Sequence, residues 1–438
     1  MLHQLVTGGA GICTDSRQAG HGSIFFALRG ESFNGNHYAA EALKAGCRLA
    51  VIDDPSCQGG ADYLLVDSVL DTLQALGAYH RRLFDIPVIG ITGSNGKTTT
   101  KELVHAVLSA RFRAQATQGN LNNHIGVPVT LLSWKQPVDM AIVEMGANHV
   151  GEIARLCELA GPTHGLITNI GKAHLEGFGS VENIARAKSE LYGAVAAANG
   201  QLFVNGDNHQ LVRLAGNTRQ VTYGTGDGND CQGRVDTAFP LLGVSFWVNR
   251  SFGKTSPGAR GTIRTQLTGA YNFENIMAAV TTGLYFGVSP EKIVSAIETY
   301  HPRNNRSQVM ETKRNLVIAD AYNANPTSML AALENFSGFE RKRTALLLGD
   351  MLELGETTGH EHRQLMKAAI EGGFTLLVFV GPAFTDAASD EKNLPDNCHV
   401  FKDVEGASAF LSARPLTGYK VLVKGSRGIR METLLNVL

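Results

Sequence analysis

The chain has 438 residues, 43% of them hydrophobic, with 39 lysines and arginines against 40 aspartates and glutamates. That length exceeds what one core organises and predicts about three compact units of roughly 100–200 residues each; the formal net charge of -1 excludes general attraction to nucleic acid or an anionic membrane surface. Six cysteines (Cys13, Cys47, Cys57, Cys157, Cys231 and Cys398) form no C-x-x-C pair, which argues against a disulfide framework or zinc site and predicts reduced, mostly buried thiols.

The N-terminus, MLHQLVTGGAGICTDSR, lacks a basic start leading into an apolar stretch, and no apolar run approaches the roughly 18 residues that span a bilayer. A cytoplasmic protein without stable membrane insertion is expected, with a monomer as the default state. Short β-branched runs then alternate with amphipathic stretches, as in VIGIT before KTTTKELVHAVLSA and TALLLG before GHEHRQLMKAAIEGG. This is the βα pattern of parallel sheets, so the fold class is α/β. The helical stretch DTLQALGAYHRRLF ends at Asp85-Ile86-Pro87, where proline disfavours helix before it, and a second break falls near His301-Pro302-Arg303. The predicted units are residues 1–84, 85–302 and 303–438. Within the second, VTYG, GVSFWVN and GTIRTQL between residues 221 and 268 read as antiparallel hairpins.

The strongest signal is Gly93-Ser94-Asn95-Gly96-Lys97-Thr98-Thr99, set between an apolar strand and an amphipathic helix. Glycines let backbone N–H groups converge on phosphate oxygens, and the helix N-terminus adds about half a positive charge. Lys97 can reach the terminal phosphates, and the Thr98 hydroxyl can hold Mg²⁺. The common spacing G-x-x-x-x-G-K-[ST] would put glycine where Ile91 stands, so this loop is a shorter G-x-x-G-K-T variant.

Glu144 ends the strand MAIVE, at the edge where open α/β sheets bind ligands, and suits Mg²⁺ or, equally, a solvated strand end. His174 follows the strand GLITNI; a lone histidine is more often a surface or satisfied core residue than a ligand. Lys188 and Glu190 in SVENIARAKSELYGAV read as a solvated helical face. Beyond residue 302, Asp350 and Glu353 of LGDMLELG and Lys424, Ser426 and Arg427 of VKGSRG each follow an apolar strand and are expected to face a cleft.

Taken together, TGSNGKTTT, EMGA, NIGKAHLE, AKSE, AYNFENIMAA, DAYNANP, LGDMLELG and VKGSRG occur here in the order they take in Mur ligases, and the chain resembles that family along its length. TDSR, ALRGESFNGNHY, GNLNNHIGVP and DAYNANP resemble the member that adds D-alanyl-D-alanine; no D-N-P-R motif of the diaminopimelate- or lysine-adding member is present. The resemblance implies a small α/β N-terminal domain holding a UDP sugar. It also implies a central P-loop-type mononucleotide-binding sheet with added antiparallel strands, and a C-terminal Rossmann-like domain closing on ATP.

It places Ser16, Arg17 and the segment from Arg29 to Asn36 at the UDP group, Asn272 and Asn275 near adenine, Arg306 near the γ-phosphate and Asp320 at the ribose. Asn122, Asn123, Asn323, Asn325, Lys424, Ser426 and Arg427 become substrate-binding candidates. Two Mg²⁺ ions are implied, on Thr98, Glu144, His174 and a carbamylated Lys188, with Lys97, Lys188, His174 and Arg306 serving catalysis. The expected reaction joins D-alanyl-D-alanine to UDP-N-acetylmuramoyl-tripeptide through an acyl phosphate. The general base stays open among Asp350, Glu353 and His360, and a ligand-free structure is expected to show the site disassembled. Rival readings are a folylpolyglutamate synthase, disfavoured by TDSR, a GTPase or kinase, disfavoured by the loop spacing and the absence of N-K-x-D, and a non-catalytic nucleotide-binding protein.

Overall fold

The computed structural model describes residues 1–30, 32–303, 305–390 and 394–438. The first sheet holds β1 (Ile12–Cys13), β2 (Ile24–Phe26), β3 (Leu49–Ile52) and β4 (Tyr63–Leu65), all parallel and in that order. β2 and β3 are apolar and buried throughout, as parallel strands covered on both faces must be. The helix Val69–Arg81, capped by Ser68, lays Val69, Leu73 and Leu76 on this sheet in a cluster that also takes in Leu132 of the next unit. His80 Nε2, 3.0 Å from the Trp134 carbonyl, and Arg81 Nε, which donates to the Ala160 carbonyl at 2.7 Å, fasten the same helix to the central unit.

The central sheet contains β5 (Val88–Thr92), β6 (Ala114–Ala116), β7 (Met140–Glu144), β8 (His164–Ile167), β9 (Gln201–Asn205), β10 (Gln220–Gly224), β11 (Cys231–Thr237), β12 (Gly243–Val248) and β13 (Arg260–Arg264). Its order is β13-β12-β11-β10-β9-β8-β5-β7-β6. Only the pairs β11–β12 and β12–β13 are antiparallel. The hairpin expectation is therefore corrected at VTYG: β10 runs parallel to β9 and to the start of β11. β5 lies between β7 and β8, and the chain passes first to one side of it and then to the other. A crevice opens at such a switch point beyond the strand ends, and the phosphate loop sits there.

The third sheet has β14 (Gln308–Glu311), β15 (Leu316–Asp320), β16 (Thr344–Gly349), β17 (Leu376–Val380), β18 (Cys398–Phe401) and β19 (Lys420–Lys424), in the order β14-β15-β19-β16-β17-β18. All pairs are parallel except β14 with β15. Two apolar clusters cover its faces, one around Phe336, Leu346 and Phe379 and the other around Val317, Leu347 and Val421. The carboxyl ends of β15 and β19 adjoin, so Asp320 and Lys424 stand side by side. Four of the six thiols are buried and all are free.

Candidate active site

A cleft of about 750 Å³ joins the carboxyl ends of the central and third sheets. On the central side, Gly93 has φ +149° and Gly96 +78°. A Cβ at Gly93 would lie 1.8 Å from Thr168 Oγ1, and one at Gly96 2.5 Å from Asn275 Oδ1. Only glycine permits these approaches, and they hold the loop open as an anion cradle. Ser94 Oγ donates to the Gly171 carbonyl at 2.9 Å, and Asn169 Oδ1 accepts from the Asn95 N–H at 3.0 Å. Lys97 starts the helix Lys97–Ser109 and donates to the Gly93 and Ser94 carbonyls at 2.6 and 3.0 Å. Burial pulls its ammonium down to about 8; Glu144 opposes that shift and Arg306 adds to it. Thr99 lines the cleft beside it.

Thr98 donates to Glu144 Oε1 at 3.1 Å, and Asn122 Nδ2 donates to the same oxygen at 2.8 Å. Glu144 Oε2 is buried without a hydrogen-bond partner. An orphaned carboxylate oxygen beside a hydroxyl is costly unless a cation takes it, and the donor set suits a hard ion. Asn123 spends its oxygen on the Ile125 and Gly126 N–H groups, in the turn that leads into the helix Gly126–Leu132. His174 lines the cleft in a left-handed backbone, φ +53°, with Nδ1 2.5 Å from Glu353 Oε2 of the third unit.

The solvated-face reading of Lys188 and Glu190 is overturned. Lys188 is 1% exposed and is not among the residues that line the cleft, with Nζ 5.6 Å from the centroid of the Phe178 ring. Burial first, then the neighbouring Lys97 cation, bring its ammonium down to about 7. Glu190 accepts from the Gly151 and Ala154 N–H groups at the start of the helix Glu152–Ala160. Among the described residues no three of His, Cys, Asp and Glu cluster as a ready metal cage.

Asn272 and Asn275 are buried at the cleft. Asn275 Oδ1 accepts from Thr100 Oγ1 at 3.0 Å, Asn275 Nδ2 donates to Asn272 Oδ1 at 2.9 Å, and Asn272 Nδ2 donates to the Thr268 carbonyl at 2.8 Å. From the third unit, Lys424 Nζ donates to Asp320 Oδ2 at 2.5 Å, and the Ser307 N–H donates to Asp320 Oδ1 at 2.9 Å. Asn323 bonds back to the Ala324 N–H. Asn325 is the N-cap of the helix Pro326–Phe336 and also donates to Asn95 Oδ1 at 2.7 Å, so its amide is occupied at both ends. The expected disassembled site is not what is seen: residues of both units line one cleft.

Several expected residues stand elsewhere. Ser426 is 2% exposed and accepts from the Leu352 N–H, while Arg427 stays outside the cleft lining. Asp350, also buried, accepts from the Ala383 and Phe384 N–H groups at the start of the helix Pro382–Ser389, which removes it as a cleft-facing base. His360 is exposed and outside the lining, whereas Glu353 is on it. Ser16 and Arg17 lie in the first unit, Arg17 paired with Asp15 at 2.8 Å. Arg29 and Asn36 both donate to Asp53 Oδ1; Glu31, within the Arg29 to Asn36 segment, lies outside the described residues. Sequence reading passed over Tyr322, which carries Arg306, and Asn169, although each follows a strand end.

Comparison with known proteins agrees with this arrangement. Residues 10–79 match the Mur ligase family, catalytic domain; residues 91–283 the Mur ligase middle domain; and residues 305–427 the Mur ligase, glutamate ligase domain. The UDP-N-acetylmuramoyl-tripeptide--D-alanyl-D-alanine ligase of Bacillus subtilis (strain 168) is 34% identical over 436 residues, 98% of this chain and 93% of its own. The Escherichia coli (strain K12) ligase of the same name is 30% identical, covering 98% and 93%. A crystal structure of MurF from Acinetobacter baumannii superposes with TM-score 0.84 at 31% identity, covering 99% of this chain and 97% of its own. The MurF ligase from Thermotoga maritima in complex with ADP gives 0.82 at 26%, covering 99% and 97%. Matched over nearly its full length, with the phosphate loop and the carboxylates of two sheets on one cleft, the chain belongs to the Mur ligase family.

Proposed function

We propose that this chain is an ATP-dependent ligase that joins D-alanyl-D-alanine to UDP-N-acetylmuramoyl-tripeptide, giving the pentapeptide precursor of peptidoglycan. One observation carries the reading: the phosphate loop and the Asp320–Lys424 pair share a cleft, in a chain 34% identical along its length to a ligase of that name. The units are 1–84 for the UDP sugar, with Ser16, Arg17 and Arg29 to Asn36 at it, 85–302 for ATP and 303–438 for closure and the acceptor. No helix among the described residues is long and apolar enough to cross a membrane. The cytoplasm, where ATP and UDP precursors are held, is the proposed site of action.

A carboxylate is too poor an electrophile for an amine until one of its oxygens becomes a leaving group. In this reading the tripeptide carboxylate attacks the γ-phosphate, ADP leaves, and the amine of D-alanyl-D-alanine then expels phosphate from the acyl phosphate. Lys97 exchanges its two carbonyl partners for phosphate oxygens, and Arg306 meets the same charge from the other side. Asn272 and Asn275 flank the base, and Asp320 with Lys424 the ribose side. Asn122, Asn123, Asn323 and Asn325 shape the path of the peptide. Thr98, Glu144, His174 and Lys188 would hold Mg²⁺, which neutralises phosphate charge when bound.

Lys188 serves as its carbamate: the amine attacks CO₂ and loses a proton, becoming an anionic oxygen donor. Its depressed ammonium supplies the neutral amine that this needs near neutral pH. Incubation with Mg²⁺, ATP, D-alanyl-D-alanine and UDP-N-acetylmuramoyl-tripeptide, carrying diaminopimelate or lysine, tests the reading. Phosphate release dependent on every component, with a UDP product heavier by one dipeptide, is expected. No product from either tripeptide would discard it.

A further inference from the structure

We infer that Tyr322 is a positioning residue that holds the Arg306 guanidinium at its working place in the cleft. This rests on the proposed ligase reading for what Arg306 meets. The guanidinium carbon of Arg306 lies 3.5 Å from the centroid of the Tyr322 ring, in face contact. Among the described residues Arg306 forms no ion pair, and no side-chain hydrogen bond fixes it. Among the described residues none of its five N–H donors is taken up by a partner, and the Tyr322 face is what lies against the guanidinium.

The backbone beside it is anchored independently. Ser307, at φ +47°, donates its N–H to Asp320 Oδ1 at 2.9 Å and pairs its hydroxyl with that of Tyr271 at 2.9 Å. Tyr322 follows β15 by two residues, so the ring rides on the third sheet next to Asp320. A second guanidinium, that of Arg427, lies 5.4 Å from the same ring centroid, with Nη1 3.5 Å from the Tyr322 hydroxyl. Without the ring, two like charges lose the negative face that both lean on, and a long side chain facing a bound polyanion gains rotamers to sample. A phenylalanine keeps the face and gives up only the long hydroxyl contact.

The test is a double-mutant cycle. Tyr322→Leu is expected to lower kcat about tenfold or more while changing KM for D-alanyl-D-alanine less than about threefold, and Tyr322→Phe to stay within about threefold of the parent. In an Arg306→Ala background Tyr322→Leu is expected to change kcat less than about twofold, since its effect passes through the arginine. An equal loss in both backgrounds, or Phe as damaging as Leu, would overturn the inference. The same cycle read on calorimetric affinity for adenosine β,γ-imidotriphosphate needs no peptide substrate. Coupling there without pentapeptide formation would support the positioning role while discarding the ligase reading, and additivity there would overturn the role itself.

Discussion

His164 opens β8 against three rings, with centroids 6.0 Å away at Phe203, 5.5 Å at Tyr285 and 5.0 Å at Phe286. Burial there pulls its imidazolium down to about 4 from an ordinary 6.5. Above pH 6.5 the folded and unfolded chains are both neutral at this position. As pH falls from 6.5 towards 4, the unfolded chain takes up a proton that the folded chain refuses, so stability is lost over that window. His164→Phe is expected to remove about 1–2 kcal/mol of the stability difference between pH 7 and pH 5, read by urea unfolding; an unchanged difference would contradict it. Single residues were legible where spacing set their place, as at Lys97 and Thr98, which both line the cleft. They were not where burial decided. Helical periodicity put Lys188 on a solvated face, and only packing against Phe178 and the sheet reveals that it is enclosed. Asp350 follows a strand as expected, yet its direction is set by two N–H groups more than thirty positions along the chain.

The element that most constrains the site is the turn from β5 into the helix Lys97–Ser109. Thr168, at the end of the next strand over, fills the space beside Gly93, and Asn275, on the helix Asn272–Phe286, fills that beside Gly96. Gly93→Ala must therefore move Thr168 or distort the loop, at an expected cost of about 2 kcal/mol or more. It should also abolish the rise in melting temperature that ATP gives the parent. A variant that melts like the parent and keeps the ATP response would show that the close approach is not required. Alternation of apolar strands with amphipathic helices made the α/β class and the strand–loop–helix unit readable. The partners of β10 were not readable, because parallel and antiparallel neighbours present the same apolar run and the choice lies in residues distant in sequence.

At the scale of the whole molecule, the cleft is assembled by contacts between the central and third units. Lys172 Nζ donates to the buried Glu361 carboxylate at 2.6 Å, the Glu176 N–H to the Glu353 carbonyl at 3.1 Å, and Asn335 Nδ2 to Thr268 Oγ1 at 3.0 Å. With Asn95 and Asn325 joined as well, the phosphate loop and the carboxylate–lysine pair of the third sheet face one space. That arrangement is what carboxylate activation needs: a triphosphate held on one side, and an acceptor amine brought from the other with water displaced. The most direct test supplies UDP-N-acetylmuramoyl-tripeptide labelled with ¹⁸O in its terminal carboxylate, together with Mg²⁺, ATP and D-alanyl-D-alanine, and analyses the released phosphate by mass spectrometry. Transfer of one ¹⁸O from the carboxylate to each phosphate released is predicted. Unlabelled phosphate, its fourth oxygen taken from water, with both labelled carboxylate oxygens kept on the peptide, would contradict activation by ATP at this cleft.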